Sequence, residues 1–221
     1  MKYIFDLDNS LYPDPKNKYA RYEIAAAKAA LNCGVPIQEE QARVLAAQSY
    51  QDHGSELTVF INDYGIDPAL ITEVYHEEAF KIFEEEIGTS DELRDAFNAI
   101  APGDKVILTH STTQWALPVI KRLGIDANID PNNILALDDP RIQFKRKDAD
   151  IEPFEVALQL LGARAEEVTM VDDVADNHII PHQMGMHTLL IHWKDQDDAN
   201  APEHVQNQAH NPAQYIRRHL P

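Results

Sequence analysis

The run Lys2-Tyr3-Ile4-Phe5 leads straight into Asp6-Leu7-Asp8. An apolar run this short reads as a strand. Strand side chains alternate, so Leu7 points away from the two carboxylates and into the core. Asp6 and Asp8 are then delivered together at the strand's carboxyl end, the edge where open α/β sheets hold their ligands. Two carboxylates this close repel unless a cation or a proton lies between them. The pairing suggests Mg²⁺ and proton transfer, with one carboxylate left as a nucleophile. Alone, Asp-x-Asp also serves as an ordinary polar end to a strand, so the rest of the chain has to supply the partners.

The chain changes texture twice. From about residue 16 to about 99 it is helical: Tyr19–Leu31 is alanine-rich, Gln38–Gln51 is periodic, and Pro68–Glu85 carries apolar residues at helical spacing. Ser90 is a candidate N-cap. After Gly103, strands and helices alternate. Strands are expected at Val106–Leu108, Ile134–Leu137, Val168–Val171 and Thr188–Ile191, and helices at Gln114–Leu123, Pro153–Leu161 and Asp176–Met184. This alternation predicts an α/β fold with a doubly wound, mostly parallel, Rossmann-like sheet. The helical block is too long for a crossover and reads as an inserted cap. The expected division is a core of residues 1–13 and 96–221 and a cap of residues 14–95. Residues 194–212 are polar and read as a loose connection to a short helix near Tyr215–Leu220.

Composition narrows the partners. The chain has 221 residues and a formal net charge of −18, which argues against nucleic-acid polymers and anionic membranes as partners. No apolar run reaches transmembrane length, and Asp6 and Asp8 interrupt the only early apolar stretch, so no signal peptide is read. Cys33 is the single cysteine, which excludes an intrachain disulfide. The cytoplasm is the expected compartment. The ten histidines include His178, His182, His187 and His192 near the last acidic motif, but Pro181 interrupts the helical spacing. They are read as surface or packing residues.

Three more groups follow the first, two of them at strand ends. Thr109 closes the second strand, ahead of His110 and Ser111. Lys145-Arg146-Lys147 precedes a helix, and Asp172-Asp173 closes a later strand, ahead of Asp176 and Asn177. Each has a plain structural reading: a turn threonine, solvated lysines, an aspartate N-cap. Together and in order they are the parts that phosphoryl transfer needs. Mg²⁺ takes a few hard oxygens such as those of Asp6 and Asp173. A lysine offsets negative charge, and a hydroxyl such as that of Thr109 holds a phosphate oxygen. One carboxylate can be phosphorylated while Asp8 handles the protons.

These segments resemble the haloacid dehalogenase-type hydrolase superfamily, mostly Mg²⁺-dependent phosphatases. Phe5-Asp6-Leu7-Asp8-Asn9-Ser10-Leu11-Tyr12 resembles its first motif, Thr109 its second, Lys147 its third, and Val171-Asp172-Asp173 with Asn177 its fourth. The resemblance implies Asp6 as nucleophile and Asp8 as general acid/base. It also implies Mg²⁺ held by Asp6, the Asp8 backbone carbonyl and Asp173, with Asp172 close by, and Thr109, His110 and Lys147 around the phosphate. Asn9-Ser10-Leu11-Tyr12-Pro13 and Ser49-Tyr50-Gln51-Asp52-His53-Gly54 resemble the pyrimidine 5′-nucleotidase branch. That likeness implies a small phosphorylated metabolite, a pyrimidine nucleoside 5′-monophosphate, as partner. Tyr12, Tyr50 and His53 are candidate base or ribose contacts, and a monomer or homodimer is the expected assembly.

The chain departs from the family pattern at Ser10, where threonine is usual, and at His110, where asparagine often stands. Lys147 is not followed by proline, so Lys145 stays a rival. The enzymatic alternatives are a phosphatase or mutase of sugar phosphates or phosphoglycolate. A haloalkanoate dehalogenase has no need of Asp8. A non-catalytic phosphate-binding protein would be expected to have lost Asp6, Asp8 or Asp173.

Overall fold

The structure is a computed structural model and describes residues 1–14, 18–193 and 201–219. The chain divides into two compact units, Met1–Asp14 with Ile87–Pro221, and Pro15–Glu86.

The larger unit is built on a parallel sheet. Its strands are β1 (Lys2–Phe5), β2 (Lys105–Leu108), β3 (Ile134–Leu135), β4 (Val168–Asp172), β5 (His187–Ile191) and β6 (Asn207–Ala209), in spatial order β3-β2-β1-β4-β5-β6. β1 is central: Phe5 pairs with Ile107 of β2 and Val171 of β4. The chain winds outward on one side of β1 and then restarts on the other with β4. The carboxyl ends of β1 and β4 therefore form the topological switch point, where open sheets bind ligands. The expected α/β, doubly wound class is what the chain adopts.

The alternation along β1 sorts its side chains. Ile4 goes to a cluster with Val106, Leu108, Val168 and Met170, closed by Phe154 and Leu161 of helix α7 (Glu152–Leu161). Tyr3 and Phe5 stack with ring centroids 5.4 Å apart, and Phe5 meets Phe97 of helix α5 (Asp91–Ala99) at 5.3 Å. Burying a side chain such as Phe97 contributes about 2 kcal/mol. Ser90 caps α5, its Oγ accepting from the Leu93 amide at 3.1 Å. Residues 87–95, grouped with the insertion by sequence texture, belong to the sheet unit because the apolar face of α5 is buried there. β6 is a further difference: the polar stretch 201–212 contains this edge strand before α9 (Pro212–His219), while residues 194–200 lie outside the described residues.

The second unit contains α1 (Lys18–Asn32), α2 (Glu39–His53), α3 (Thr58–Tyr64) and α4 (Pro68–Phe83). Ala26 and Ala30 of α1 share a buried cluster with Ala42 and Ala46 of α2, and the small side chains let the helices approach closely. Phe60 and Ile71 fill the remaining space. Among the described residues, no helix is long and apolar enough to cross a membrane.

One core position contradicts simple patterning. Lys105, at the start of β2, is fully buried; its Nζ donates to the carbonyls of Phe97 (2.6 Å) and Ile100 (2.8 Å) at the end of α5. Burial pushes the ammonium down to about 8. Between that value and the ordinary 10.5, the folded chain binds fewer protons at this site than the unfolded chain, so this site's contribution to stability rises with pH. The melting temperature of the wild type is therefore expected to gain on that of Lys105→Met as pH rises above 8. A difference that stays constant from pH 7 to about 10 would contradict the assignment.

Candidate active site

Asp6 follows β1 directly, and its amide donates to the Val171 carbonyl at 2.8 Å, which locks it beside the end of β4. Asp172 is the last residue of β4, and Asp173 follows it. Ligand oxygens of Asp6, Asp172 and Asp173 lie within 4.8 Å of one another, the one such group of three or more ligating side chains among the described residues. Among the described residues, a single ammonium, that of Lys147, enters the cluster. It is buried, pairs with Asp6 Oδ1, and lies 2.6 Å from Asp172 Oδ2. Lys145 instead pairs with Glu152.

The surroundings of the three carboxylates differ. Asp172 is fully committed: its oxygens accept from Asn177 Nδ2 (2.9 and 3.0 Å), the Val174 amide (2.9 Å) and Lys147. Asp6 Oδ2 accepts from Ser10 Oγ at 3.0 Å. Asp173 Oδ2 accepts from Asn9 Nδ2 at 2.7 Å, and its Oδ1 lies 3.5 Å from Ser10 Oγ. Asn9 has φ 57°, a left-handed conformation that asparagine tolerates. Its carbonyl accepts from Trp193 Nε1 (2.7 Å) and its Oδ1 from the Asp14 amide (3.0 Å), so Asn9 ties the first motif to Asp173.

Three carboxylates face one ammonium, and the charge imbalance shows. Burial holds the Asp6 carboxyl well above the usual range; Lys147 opposes this, while Asp172, Asp173 and Asp8 add to it. Burial, with Asp172, pushes Asp173 up to about 6. Burial disfavours the Lys147 ammonium, but Asp172 and Asp6 outweigh it and raise it above the ordinary lysine value. Hard oxygens and an excess of negative charge are what a divalent cation such as Mg²⁺ requires. Asp6 and Asp173 have the less committed oxygens. Asp172 Oδ2 lies against the Lys147 ammonium.

Asp8 leaves the same strand into different surroundings. Its Oδ1 accepts from Tyr12 OH and from Trp115 Nε1 (2.7 Å), and its Oδ2 from Ser111 Oγ (2.7 Å), with Thr109 Oγ1 at 3.5 Å. Its side chain is therefore not part of the acidic group. Thr109 is buried, and its Oγ1 accepts from the Ser111 amide at 3.0 Å. The half-buried His110 ring accepts the Lys147 amide on Nε2 at 3.1 Å, with Asp148 at 3.6 Å. Burial and Lys147 lower its pKa to about 4, so the ring is neutral and Nε2 can accept. Tyr12, read from sequence as a substrate contact, is buried with its hydroxyl on Asp8. Tyr50 is exposed in the helical unit, its ring 5.6 Å from that of Tyr19, and His53 is exposed at the end of the same helix.

Ser111, Trp115, Asn9 and Trp193 were not singled out as site residues by sequence. Asn9 has a signal as an asparagine in a turn after a strand, and Ser111 directly follows Thr109 and His110. Trp115 and Trp193 join the site only through the fold.

A family model described as haloacid dehalogenase-like hydrolase matches residues 3–179. A glyceraldehyde 3-phosphate phosphatase of Methanocaldococcus jannaschii is 28% identical over 229 residues, covering 92% of this chain and 91% of that protein. Among solved structures, a protein of Thermotoga maritima assigned as a beta-phosphoglucomutase superposes with TM-score 0.63 at 20% identity, covering 99% of this chain and 98% of the other. A hydrolase from Pseudomonas syringae gives 0.61 at 16% identity, with 99% and 96% covered.

Proposed function

We propose that this chain, which belongs to the haloacid dehalogenase-like hydrolases, hydrolyses the phosphomonoesters of small metabolites through a phosphorylated Asp6. One observation carries the reading. Asp6 and Asp8 leave the same strand, yet Asp6 sits against an ammonium among other carboxylates, whereas Asp8 is held by neutral donors. Two carboxylates in contrasting environments are suited to two roles.

In the first step an Asp6 carboxylate oxygen attacks phosphorus. The bond from phosphorus to the leaving oxygen breaks, and that oxygen takes a proton from Asp8. In the second step water attacks the aspartyl phosphate, Asp8 takes the water's proton, and the P–O bond to Asp6 breaks, releasing inorganic phosphate and restoring both carboxyls. Lys147 holds Asp6 in position and offsets charge on the transferred group. His110 anchors the backbone of Lys147. Asp6 and Asp173 would hold Mg²⁺, which when bound neutralises phosphate charge and orients the phosphoryl group. Chelation is expected to abolish activity, and Mg²⁺ to restore it.

For the substrate we favour a small sugar phosphate. The support is the likeness to a glyceraldehyde 3-phosphate phosphatase over most of both chains, together with the engagement of Tyr12 by Asp8, which takes that ring away from base recognition. The second reading, a pyrimidine nucleoside 5′-monophosphate, is supported by the resemblance of Asn9-Ser10-Leu11-Tyr12-Pro13 to the pyrimidine 5′-nucleotidase branch. Selection among leaving groups is assigned to the helical insertion, which we take as a cap. A screen with Mg²⁺ decides between the readings. Triose and other small sugar phosphates are expected to give higher kcat/KM than UMP, CMP, AMP or GMP. A preference for UMP and CMP would overturn the sugar-phosphate reading and leave the phosphatase chemistry standing.

A further inference from the structure

The four groups around Asp8 are not equivalent. Tyr12, Ser111 and Thr109 are hydroxyls, which rotate and can donate or accept; the indole N–H of Trp115 can only donate. Trp115 lies in the first turn of α6 (Thr113–Leu123), is 4% exposed, and its amide donates to the Thr112 carbonyl at 3.1 Å. The ring is thus held by packing, and its N–H direction is set by the helix. It meets Asp8 Oδ1, which also takes the Tyr12 hydroxyl, whereas among the described residues Oδ2 accepts from the rotatable hydroxyls of Ser111 and Thr109.

We infer that Trp115 is a positioning residue for proton transfer: its buried indole N–H pins Asp8 Oδ1 and so fixes the carboxyl plane, leaving Oδ2 to exchange protons with the substrate. The inference rests on the reading of Asp8 as the general acid/base. The stabilisation lies in orientation. A carboxyl free to rotate presents the wrong oxygen for much of the time, and general acid catalysis depends on the donor being within hydrogen-bond reach of the leaving oxygen. Sequence spacing does not connect Trp115 to Asp8; only the packing of α6 beside the end of β1 does.

The experiment compares kcat/KM, which reports the step that expels the leaving group, for an alkyl phosphate and for p-nitrophenyl phosphate. The aryl leaving group departs with little need of a proton, whereas the alkoxide needs one. Trp115→Phe removes the N–H and keeps an apolar ring. It is expected to lower kcat/KM for the alkyl ester at least ~10-fold while changing that for the aryl ester by no more than about threefold, a selectivity that follows from weakened acid catalysis. General damage to packing would lower both equally. Asp8→Asn is measured in parallel. If it shows no selective loss with alkyl esters, the acid reading fails. If Asp8→Asn is selective and Trp115→Phe lowers both esters equally, or neither, the role of Trp115 is overturned. Should Trp115→Phe fold poorly, a benzothienylalanine placed at position 115 keeps the bicyclic shape without the N–H, and the same selective loss is expected. In the Asp8→Asn background, loss of the N–H should add little further effect, because both changes act on one interaction.

Discussion

Asp6→Asn is expected to lower kcat for any phosphomonoester substrate by at least ~10³, the scale for loss of an essential catalytic group. The substitution keeps size and shape, and removes the nucleophilic charge and one partner of Lys147. It should not harm the fold. The wild-type site crowds three carboxylates around one ammonium, and the Asp6 carboxyl is held well above the usual range, so its charge opposes folding at neutral pH. Removing it should leave the melting temperature in chelator unchanged or raised, as is common where catalysis requires strained electrostatics. Steady-state kinetics and thermal melts on one preparation check both parts. Near wild-type turnover would remove Asp6 from the mechanism.

The second large effect separates two lysines two residues apart. Lys147→Met keeps the length of the side chain but leaves Asp6 and Asp172 facing each other without their cation. Breaking a buried pair by removing one partner costs about 3–5 kcal/mol, and loss of the charge at the phosphate should lower kcat/KM by ~10² or more. Lys145 pairs with Glu152 at the half-exposed surface, and such pairs contribute at most about 1 kcal/mol. Lys145→Met should therefore leave kcat/KM within about threefold of wild type, as expected for a charge that touches no reacting group. The opposite ranking would place the functional lysine at 145.

These two lysines also mark where sequence reasoning stops. Asp6 and Asp172 were legible because each closes an apolar strand, and strand ends are set by local pattern. The order of the strands then places those ends side by side, a consequence of restarting the winding at β1. The loop from β3 to α7 has no periodicity to fix which lysine turns inward; that is settled by a contact with Asp6, 141 residues away in the chain. The contact of Trp115 with Asp8 is illegible for the same reason, since the two lie 107 residues apart. An aromatic beside an active site, such as Tyr12, suits either a substrate or the core in sequence; the fold buries Tyr12 with its hydroxyl on Asp8. β6 escaped notice because Asn207-Gln208-Ala209 has no apolar alternation. It pairs as an edge strand through its backbone, with support from Asn207 Nδ2 on the Thr188 carbonyl at 3.2 Å. Lys105 inverted the pattern altogether, a buried charge accepted because two helix-end carbonyls needed a donor.

Hydrolysis by the two-step route requires a phosphate carried by Asp6. Enzyme turning over p-nitrophenyl phosphate with Mg²⁺ should be quenched in acid and mapped by peptide mass spectrometry, for the wild type and for Asp8→Asn, in which hydrolysis of the intermediate is slowed. One added phosphate is expected on the peptide containing Asp6, enriched in Asp8→Asn and absent from Asp6→Asn. Active turnover with no protein-bound phosphate in either enzyme, or with phosphate on a different residue, would contradict it.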